Sequence, residues 1–466
     1  MTTHSRALSD RLAALRFEDI PEHVVERVRF STLHTLAASI AAVPAEDTRK
    51  ITAMAQRRGG TPEATVWGSD GRKVPVQEAA FANGTIADIV DWEDCSWTGH
   101  PSAGVIPVAL AVGEAGRQSG RDYLTAVVAA YEGYQRIAMA VQPSPEHLMT
   151  GKGWGIVSWQ IFAASLAAGK MRGFDADQFD QLLGASLYNA ILPTNKYGDS
   201  RAKSDIYHYT HGFCARNGVV AAELTAEGFD ACRGALDGPD GFWHMVSDRV
   251  DPDWYTRDFG TRWLICETLL KRWPANMWVQ APLDLLDRMV RAYAFVKDDI
   301  ATIRVSPQVP FIGATYQDTA RGILDAQFSI PYCLTAYLTD PEPGAHWFSD
   351  EMRNSEELIA FTGRVGFFGE TRTPFQNFAD FQNGSFPLVG MEIALKDGRV
   401  LKDEIRFPKG HPRNPFTWAE ELEHFSRCCA PWMKAQRIEA IIDAVEHLEE
   451  LDDVSRIAEQ CVTSRP

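Results

Sequence analysis

From about residue 20 to about residue 190, apolar residues recur every three to four positions, and this period commits the first half of the chain to packed helices. The segments EHVVERVRFSTLHTLAASIAAV, VQEAAFANGTIADIVDW, GVIPVALAVGEAG, RDYLTAVVAAYEGYQRIAMAV and WQIFAASLAAGKM all carry it. Alanine is abundant in them, which predicts helices that cross closely and are buried on more than one side. A further stretch, HGFCARNGVVAAELTAEGF, ends at Gly228 in the manner of a helix C-cap.

Near residue 300 the texture changes. DIATIRVSP and RVGFFGE have strand character, and VGMEIALKDGRVLKDEIRF alternates apolar and polar residues around Asp397-Gly398, a hairpin signal. LDAQFSIPYCLTAYLTD between them predicts a helix. The chain then returns to helix in NPFTWAEELEHFSRCCAPW and MKAQRIEAIIDAVEHLEEL, whose amphipathic faces are expected to pack back on the first part. At 466 residues the chain exceeds what one growing core accommodates. The expected fold is mainly α with an α+β second domain: an all-helical domain of residues 1–284 with 411–466, and a smaller α+β domain of 285–410.

Lys and Arg number 46 against 62 Asp and Glu, a formal net charge of -16, and no basic run appears, so nucleic acid is not an expected partner. The eight cysteines include no C-x-x-C, which fits reduced thiols in a cytoplasm. The first residues, MTTHSRALSDRLAALRFEDIPEHV, lack the apolar core of a secretory signal. No apolar run of membrane-spanning length occurs either, so neither export nor a membrane is expected.

Three constellations suggest chemistry. In NGTIADIVDWEDCSWTGHPS, Asp88, Asp91 and Asp94 recur every three residues, predicting one helical flank ahead of a loop with His100 and Pro101. Carboxylates and a histidine are metal-ligand types, but no matching ligand set appears elsewhere, and helix-end solvation is the plainer alternative. In YHYTHGFCARNG, Tyr207, His208, Tyr209, His211 and Arg216 fall just before and into a helix, where backbone N–H groups favour an anion. His208 and His211 have a spacing open to zinc, without the partners that zinc motifs carry. In LLKRWPANMW, Lys271 and Arg272 are expected to follow an apolar helix end, where they complement its dipole; a buried lysine would instead bind a carboxylate or, with a lowered pKa, serve as a base. GKGWG at 151–155 follows no strand and is no dinucleotide loop.

In this order, AAFANG, DWEDCSWTGHPSAGVIPVALAVGE, HGFCARNG, LLKRWP, AQFSIPY and PKGHPRNPFTWAEELEHF make the chain resemble the MmgE/PrpD family from about residue 30 to about residue 430. That family includes 2-methylcitrate dehydratase, cis-aconitate decarboxylase and iminodisuccinate epimerase. The resemblance implies a large helical domain with a smaller α+β lid domain, a homodimer, an active site between the domains, and no cofactor or metal. It implies that Asp91 and His100 match the family's aspartate and histidine, that Lys271 matches its lysine, and that Tyr316 matches a tyrosine of the lid. Departures accompany it. Asp88 stands where the family often has histidine, Cys95 where it has threonine or serine, and Gly153-Trp154-Gly155 lacks its histidine. Asn276 or Gln280 occupies a further histidine position, and either Tyr207 or Lys203 falls at the second lysine.

The expected function is that of a lyase, a dehydratase, hydratase or decarboxylase moving a proton at the carbon next to a carboxylate of a small acid. An epimerase is the alternative, and a non-catalytic carboxylate-binding protein the third reading. His100 is the expected general acid/base, Asp91 its orienting partner, and Lys271 the carboxylate clamp. Tyr207, His208 and Tyr316 are expected to donate protons, with Lys203, Trp97, Trp154, Asn276, Gln280 and Arg272 lining the substrate. The added tryptophans and missing histidines suggest a less charged substrate than a tricarboxylate, or a different reaction.

Overall fold

The computed structural model describes residues 3–96, 99–140, 157–190, 206–242, 250–310, 312–313, 316, 319, 321–373, 376, 379–380 and 383–463. The N-terminal half is built from α1 (His4–Ala14), α2 (Glu22–Ala41), α3 (Glu46–Arg58), α4 (Val76–Ile86), α5 (Pro101–Gly116), α6 (Gly120–Ala140), α7 (Val157–Met171), α8 (Ala176–Tyr188) and α9 (Ile206–Ala226). Two-residue strands β1 (Ala64–Thr65) and β2 (Lys73–Val74) pair with each other, as do β3 (Asp94–Cys95) and β4 (Leu269–Leu270). Among the described residues no helix is long and apolar enough to cross a membrane.

Small residues set how closely these helices approach. A Cβ on Gly212 of α9 would sit 2.0 Å from Thr85 Oγ1 and 2.4 Å from the carbonyl of Phe81, so α4 and α9 touch almost backbone to backbone. Gly84 faces the same crossing, where a Cβ would meet Ala215 at 3.0 Å, and Gly218 repeats the device against Ala164 of α7 at 2.5 Å. These contacts hold the start of α9 against the end of α4. The C-terminus of α9 is closed as its sequence indicates: Gly228 adopts φ +80°, and the N–H of Phe229 reaches the carbonyl of Leu224 at 3.1 Å.

The α+β part contains α10 (Gln280–Tyr293), β5 (Ile300–Ser306), α11 (Ile323–Gln327), α12 (Ile330–Thr339), α13 (Asp350–Arg353), α14 (Glu356–Thr362), β6 (Val365–Phe367), β7 (Val389–Leu395) and β8 (Val400–Ile405). Its sheet runs β6-β5-β7-β8, with β5 parallel to β6 and antiparallel to β7. Val389, Met391, Ile393 and Leu395 of β7 are buried at alternate positions. The β7–β8 hairpin turns at Asp397-Gly398 as expected, with Gly398 at φ +92°. One expected helix proves to be two. LDAQFSIPYCLTAYLTD breaks at Phe328-Ser329, because Ser329 caps the N–H of Tyr332 at 3.2 Å and Pro331 follows within the first turn. The last helices, α15 (Trp418–Cys429), α16 (Ala435–Glu446) and α17 (Ser455–Ala458), return to the helical part, α15 against α2 and α17 against α5.

Two local expectations are corrected, and both matter for the site. Helix α4 stops at Ile86, so Asp88, Asp91 and Asp94 do not share a helical flank. A tight turn follows in which the N–H of Asp91 donates to the carbonyl of Asp88 at 2.8 Å and Asp91 takes φ +51°, after which the chain extends into β3. Lys271 follows a strand rather than a helix end: Leu270 pairs with Asp94 and Leu269 with Cys95. The helix-dipole account of Lys271 therefore does not apply.

Candidate active site

The β3–β4 pairing lays Lys271 alongside Glu93, whose carbonyl accepts the Lys271 backbone N–H at 3.3 Å. The loop at Gly410 presses on β4 from the other side. Gly410 has φ +88°, and a Cβ there would lie 1.8 Å from the carbonyl of Leu270. A histidine of α2 completes this seat. Its Nε2 lies 3.0 Å from the carbonyl of Lys271 and its Nδ1 3.1 Å from Glu421 of α15, so His34 ties the C-terminal helices to the lysine backbone.

The lysine side chain is fully buried among acids. Its ammonium bonds Asp91 Oδ1 and, at 2.7 Å, Glu93 Oε1, and lies 3.4 Å from His100 Nδ1. His100 Nδ1 in turn bonds Glu93 and lies 3.3 Å from Asp88 Oδ1. The expected orienting partner of His100 was Asp91. The structure corrects this to Glu93, because in the extended stretch after the turn Glu93 reaches His100 while Asp91 pairs with Lys271. Lys271, the expected carboxylate clamp, is held by two carboxylates of the chain itself. Asp94 serves elsewhere, accepting the N–H of Ser102 at 2.9 Å in the first turn of α5 and the hydroxyl of Tyr131 at 2.8 Å.

From α9, two histidines and a tyrosine enter the same cluster. His208 Nδ1 lies 2.5 Å from Asp88 Oδ2, and its Nε2 donates to Gln327 Oε1 at 2.9 Å, while the Gln327 amide donates to the carbonyl of Ile89 at 2.8 Å. Both ring nitrogens of His208 face acceptors, so its expected role as a proton donor to substrate is corrected to that of a bridge between the helical and α+β parts. The Tyr207 hydroxyl is 3.4 Å from His100 Nε2. His211 is fully buried, with its ring centroid 5.0 Å from that of His100.

Charge in so dry a place must nearly cancel. Three carboxylates, Asp88, Asp91 and Glu93, face Lys271, His100 and His208. Burial favours a neutral Lys271, but Asp91 and Glu93 overcome it and raise its pKa well above the ordinary value. For Glu93, burial works against ionisation, yet Lys271 and His100 together hold it below the usual carboxylate range. Burial and Lys271 disfavour the His100 cation, but Glu93 and Asp88 outweigh them and raise it. His208 is raised against burial by Asp88. Asp88 itself is pushed up to about 6, by burial first and Glu93 second. His211 goes the other way, lowered well below its ordinary value by burial and then by His100. Burial, followed by Asp88 and Asp91, raises Tyr207 well above its ordinary value, leaving it a protonated donor.

Asp88, Asp91, Glu93 and His100 bring ligand-type atoms within 4.8 Å of one another, as do Asp88, His100 and His211. The first set already encloses a cation, the Lys271 ammonium, and Asp88 of the second is bonded to His208, so these donors fit protons better than a divalent ion. Ile89, Val90 and Trp92 of the same turn line a different cavity of about 730 Å³, together with Phe348, Arg353 and Trp432.

Several expected residues have their side chains engaged by other partners. Arg272 is bonded to Asp284 and Asp287, both at 2.8 Å. Gln280 spends its amide on the carbonyls of Trp273 and Ala275 and its oxygen on the N–H of Trp273, and the Asn276 oxygen accepts the N–H of Trp278. Arg272, expected to line the substrate, thus ties this turn to α10, and Gln280 and the Asn276 oxygen, for which the same was expected, brace the 273–280 turn. The Tyr316 ring lies 4.6 Å from that of Tyr332, tilted by 46°, and its hydroxyl donates to the carbonyl of Arg353 at 3.4 Å. Trp97, Trp154 and Lys203 lie outside the described residues. Glu93 and Gln327 were not among the residues expected from the sequence, where His211 figured only beside His208 as a possible zinc ligand. Glu93 becomes visible only once the stretch after Asp91 is taken as extended.

Two family models match this chain: the MmgE/PrpD N-terminal domain over residues 6–255 and the MmgE/PrpD C-terminal domain over residues 273–450. Cis-aconitate decarboxylase of Homo sapiens is 23% identical over 472 residues, spanning 97% of this chain and 93% of the relative. Cis-aconitate decarboxylase of Mus musculus is 23% identical, over 97% of this chain and 92% of its own. That of Aspergillus terreus is 23% identical, over 96% and 93%.

Proposed function

The chain belongs to the MmgE/PrpD family, and from that premise we propose that it is a lyase acting by proton transfer at the carbon next to a carboxylate of a small organic acid. The observation that carries this reading is the His100 arrangement. Glu93 bonds Nδ1 and favours the imidazolium, while Nε2 is turned toward the Tyr207 hydroxyl. An imidazolium so held is a general acid with a defined proton, and Lys271 supplies fixed positive charge beside it for negative charge that develops in the reaction.

The relatives named cis-aconitate decarboxylase favour loss of carbon dioxide as one form of the reaction. When a C–C bond to carboxylate breaks, its electron pair stays on the substrate and is quenched by one proton, which His100 delivers. Elimination of water asks the same group to protonate a departing hydroxyl. The chemistry as written uses only side chains of the chain itself. An epimerase is the second reading, favoured by the presence of two histidines, His100 and His211, with opposite proton affinities in one cluster.

The test is to incubate the chain with cis-aconitate, malate and citrate in heavy water and follow each by NMR. Loss of carbon dioxide, or formation of an alkene, is the expected result. Deuterium entry with inversion and no bond cleavage indicates the epimerase. Absence of any change in all three acids overturns the reading.

A further inference from the structure

His211 is a costly residue to leave idle. It is 0% exposed, and neither ring nitrogen has a hydrogen-bond partner among the described residues. A buried polar group without a partner costs about 1–3 kcal/mol, so such groups call for an explanation. Around it stand the residues of the cluster. The His100 ring is 5.0 Å away at 62°, the Tyr207 ring 5.9 Å away at 79°, and Asp88 Oδ2 lies 3.6 Å from Nε2, beyond hydrogen-bond reach and already bonded to His208. The backbone cannot retreat from this position, because the adjacent Gly212 is jammed against Thr85 and Phe81.

Resting on the proton-transfer reading above, we propose that His211 is the base that removes the proton from the carbon next to the substrate carboxylate, with the neighbouring His100, its ring 5.0 Å away, as the acid. A lone pair of a His211 nitrogen takes the C–H proton, and the C–H electron pair becomes the new C=C bond. The C–O bond breaks, and the hydroxyl leaves as water with the Nε2 proton of His100. His211 ends as the imidazolium and His100 as the neutral ring, so the summed charge of the cluster is unchanged. Asp88, 3.6 Å away, stabilises the new cation. The resting proton then passes back to His100 before the next turnover. The opposite proton affinities of the two rings support the division of labour, since an acid and a base working at one pH need environments that push them apart. Decarboxylation alone requires only one proton donor and leaves His211 unused.

The experiment has two arms on the full chain. In the first, ¹⁵N-histidine spectra from pH 6 to 8.5, with His211 assigned by comparison with His211→Asn, are expected to show a neutral His211 ring with one bare nitrogen and a protonated His100 at pH 7. A cationic His211 at pH 7 overturns the assignment. In the second, malate, citrate and isocitrate are followed in heavy water. Wild type is expected to form alkene and to exchange the adjacent C–H, and His211→Asn to slow both by about a hundredfold or more with KM little changed. His211→Gln serves as the second variant if His211→Asn does not fold. Turnover by a folded variant within a few-fold of wild type defeats the base assignment while the proton-transfer reading survives. Absence of turnover and exchange by wild type with all three acids defeats the base assignment, and the proton-transfer reading falls with it only where cis-aconitate is left unchanged as well.

Discussion

Replacing Lys271 by methionine tests the charge balance of the cluster without inserting a new polar group. The lysine ammonium is completely buried and shared by Asp91 and Glu93, the latter at 2.7 Å. At that separation and an effective dielectric constant of about 20, one such contact amounts to about 6 kcal/mol before desolvation. Much of this is offset by the cost of bringing the ions out of water, and removing one partner of a buried pair has a net cost of about 3–5 kcal/mol because the remaining charge is stranded. Here two carboxylates are stranded, so the upper part of that range is expected. The pH dependence has a definite sign. In the wild type, Glu93 is held below its ordinary value, so its contribution is present above the unfolded value and lost only in acid. In the variant, burial acts unopposed by Lys271 and lifts both carboxylates above their unfolded values. The penalty is therefore largest near pH 8 and shrinks as pH falls toward 5.5. Urea unfolding followed by tryptophan fluorescence at the two pH values measures it. Adding Glu93→Gln to Lys271→Met should recover part of the loss, because one stranded charge is removed with its partner. A loss below about 1 kcal/mol at pH 8, equal to that at pH 5.5, contradicts a buried ion cluster held together by this lysine.

Three further outcomes are expected. Glu93→Gln removes a carboxylate that raises His100, so the His100 titration midpoint in ¹⁵N NMR moves to lower pH; the stabilisation that a raised histidine gives, full below about 6.5 and lost as pH rises through its folded value, shrinks with it. Gly212→Ala forces a methyl into the Thr85 and Phe81 contacts and should cost about 1–3 kcal/mol in urea unfolding, whereas Gly366→Ala, with no neighbouring atom within 4 Å, changes stability little. Arg272→Met deprives the buried Asp284 of its cation and should lower the unfolding midpoint with no change in KM, and adding Asp284→Asn should restore part of the midpoint.

The helical period, the alanine-rich crossings, the Asp397-Gly398 hairpin and the α+β texture after residue 300 were all legible in the sequence, because each depends on contacts close in sequence or on a simple repeat. The site was legible in its members and less so in its pairings. His100, Asp91, Lys271 and Tyr207 do come together, yet reading the three aspartates as one helical flank hid Glu93. A single turn at Asp91, with φ +51°, changes the period from about four residues to two and so changes which acids face the histidine. Arg272 was drawn toward the substrate by its nearness to Lys271 in sequence, and Asn276 and Gln280 by falling at a histidine position of the family. The α10 carboxylates that hold Arg272, and the backbone groups of 273–278 that hold Gln280 and Asn276, become partners only once the chain turns back between Trp273 and Gln280.

The central claim, that His100 held by Glu93 is the proton donor of this site, is tested most directly by the rate of His100→Asn in heavy water on whichever of cis-aconitate, malate or citrate the wild type converts. With the fold intact by urea unfolding, turnover should fall by about two to four orders of magnitude. A folded His100→Asn chain that retains near-normal turnover contradicts the claim.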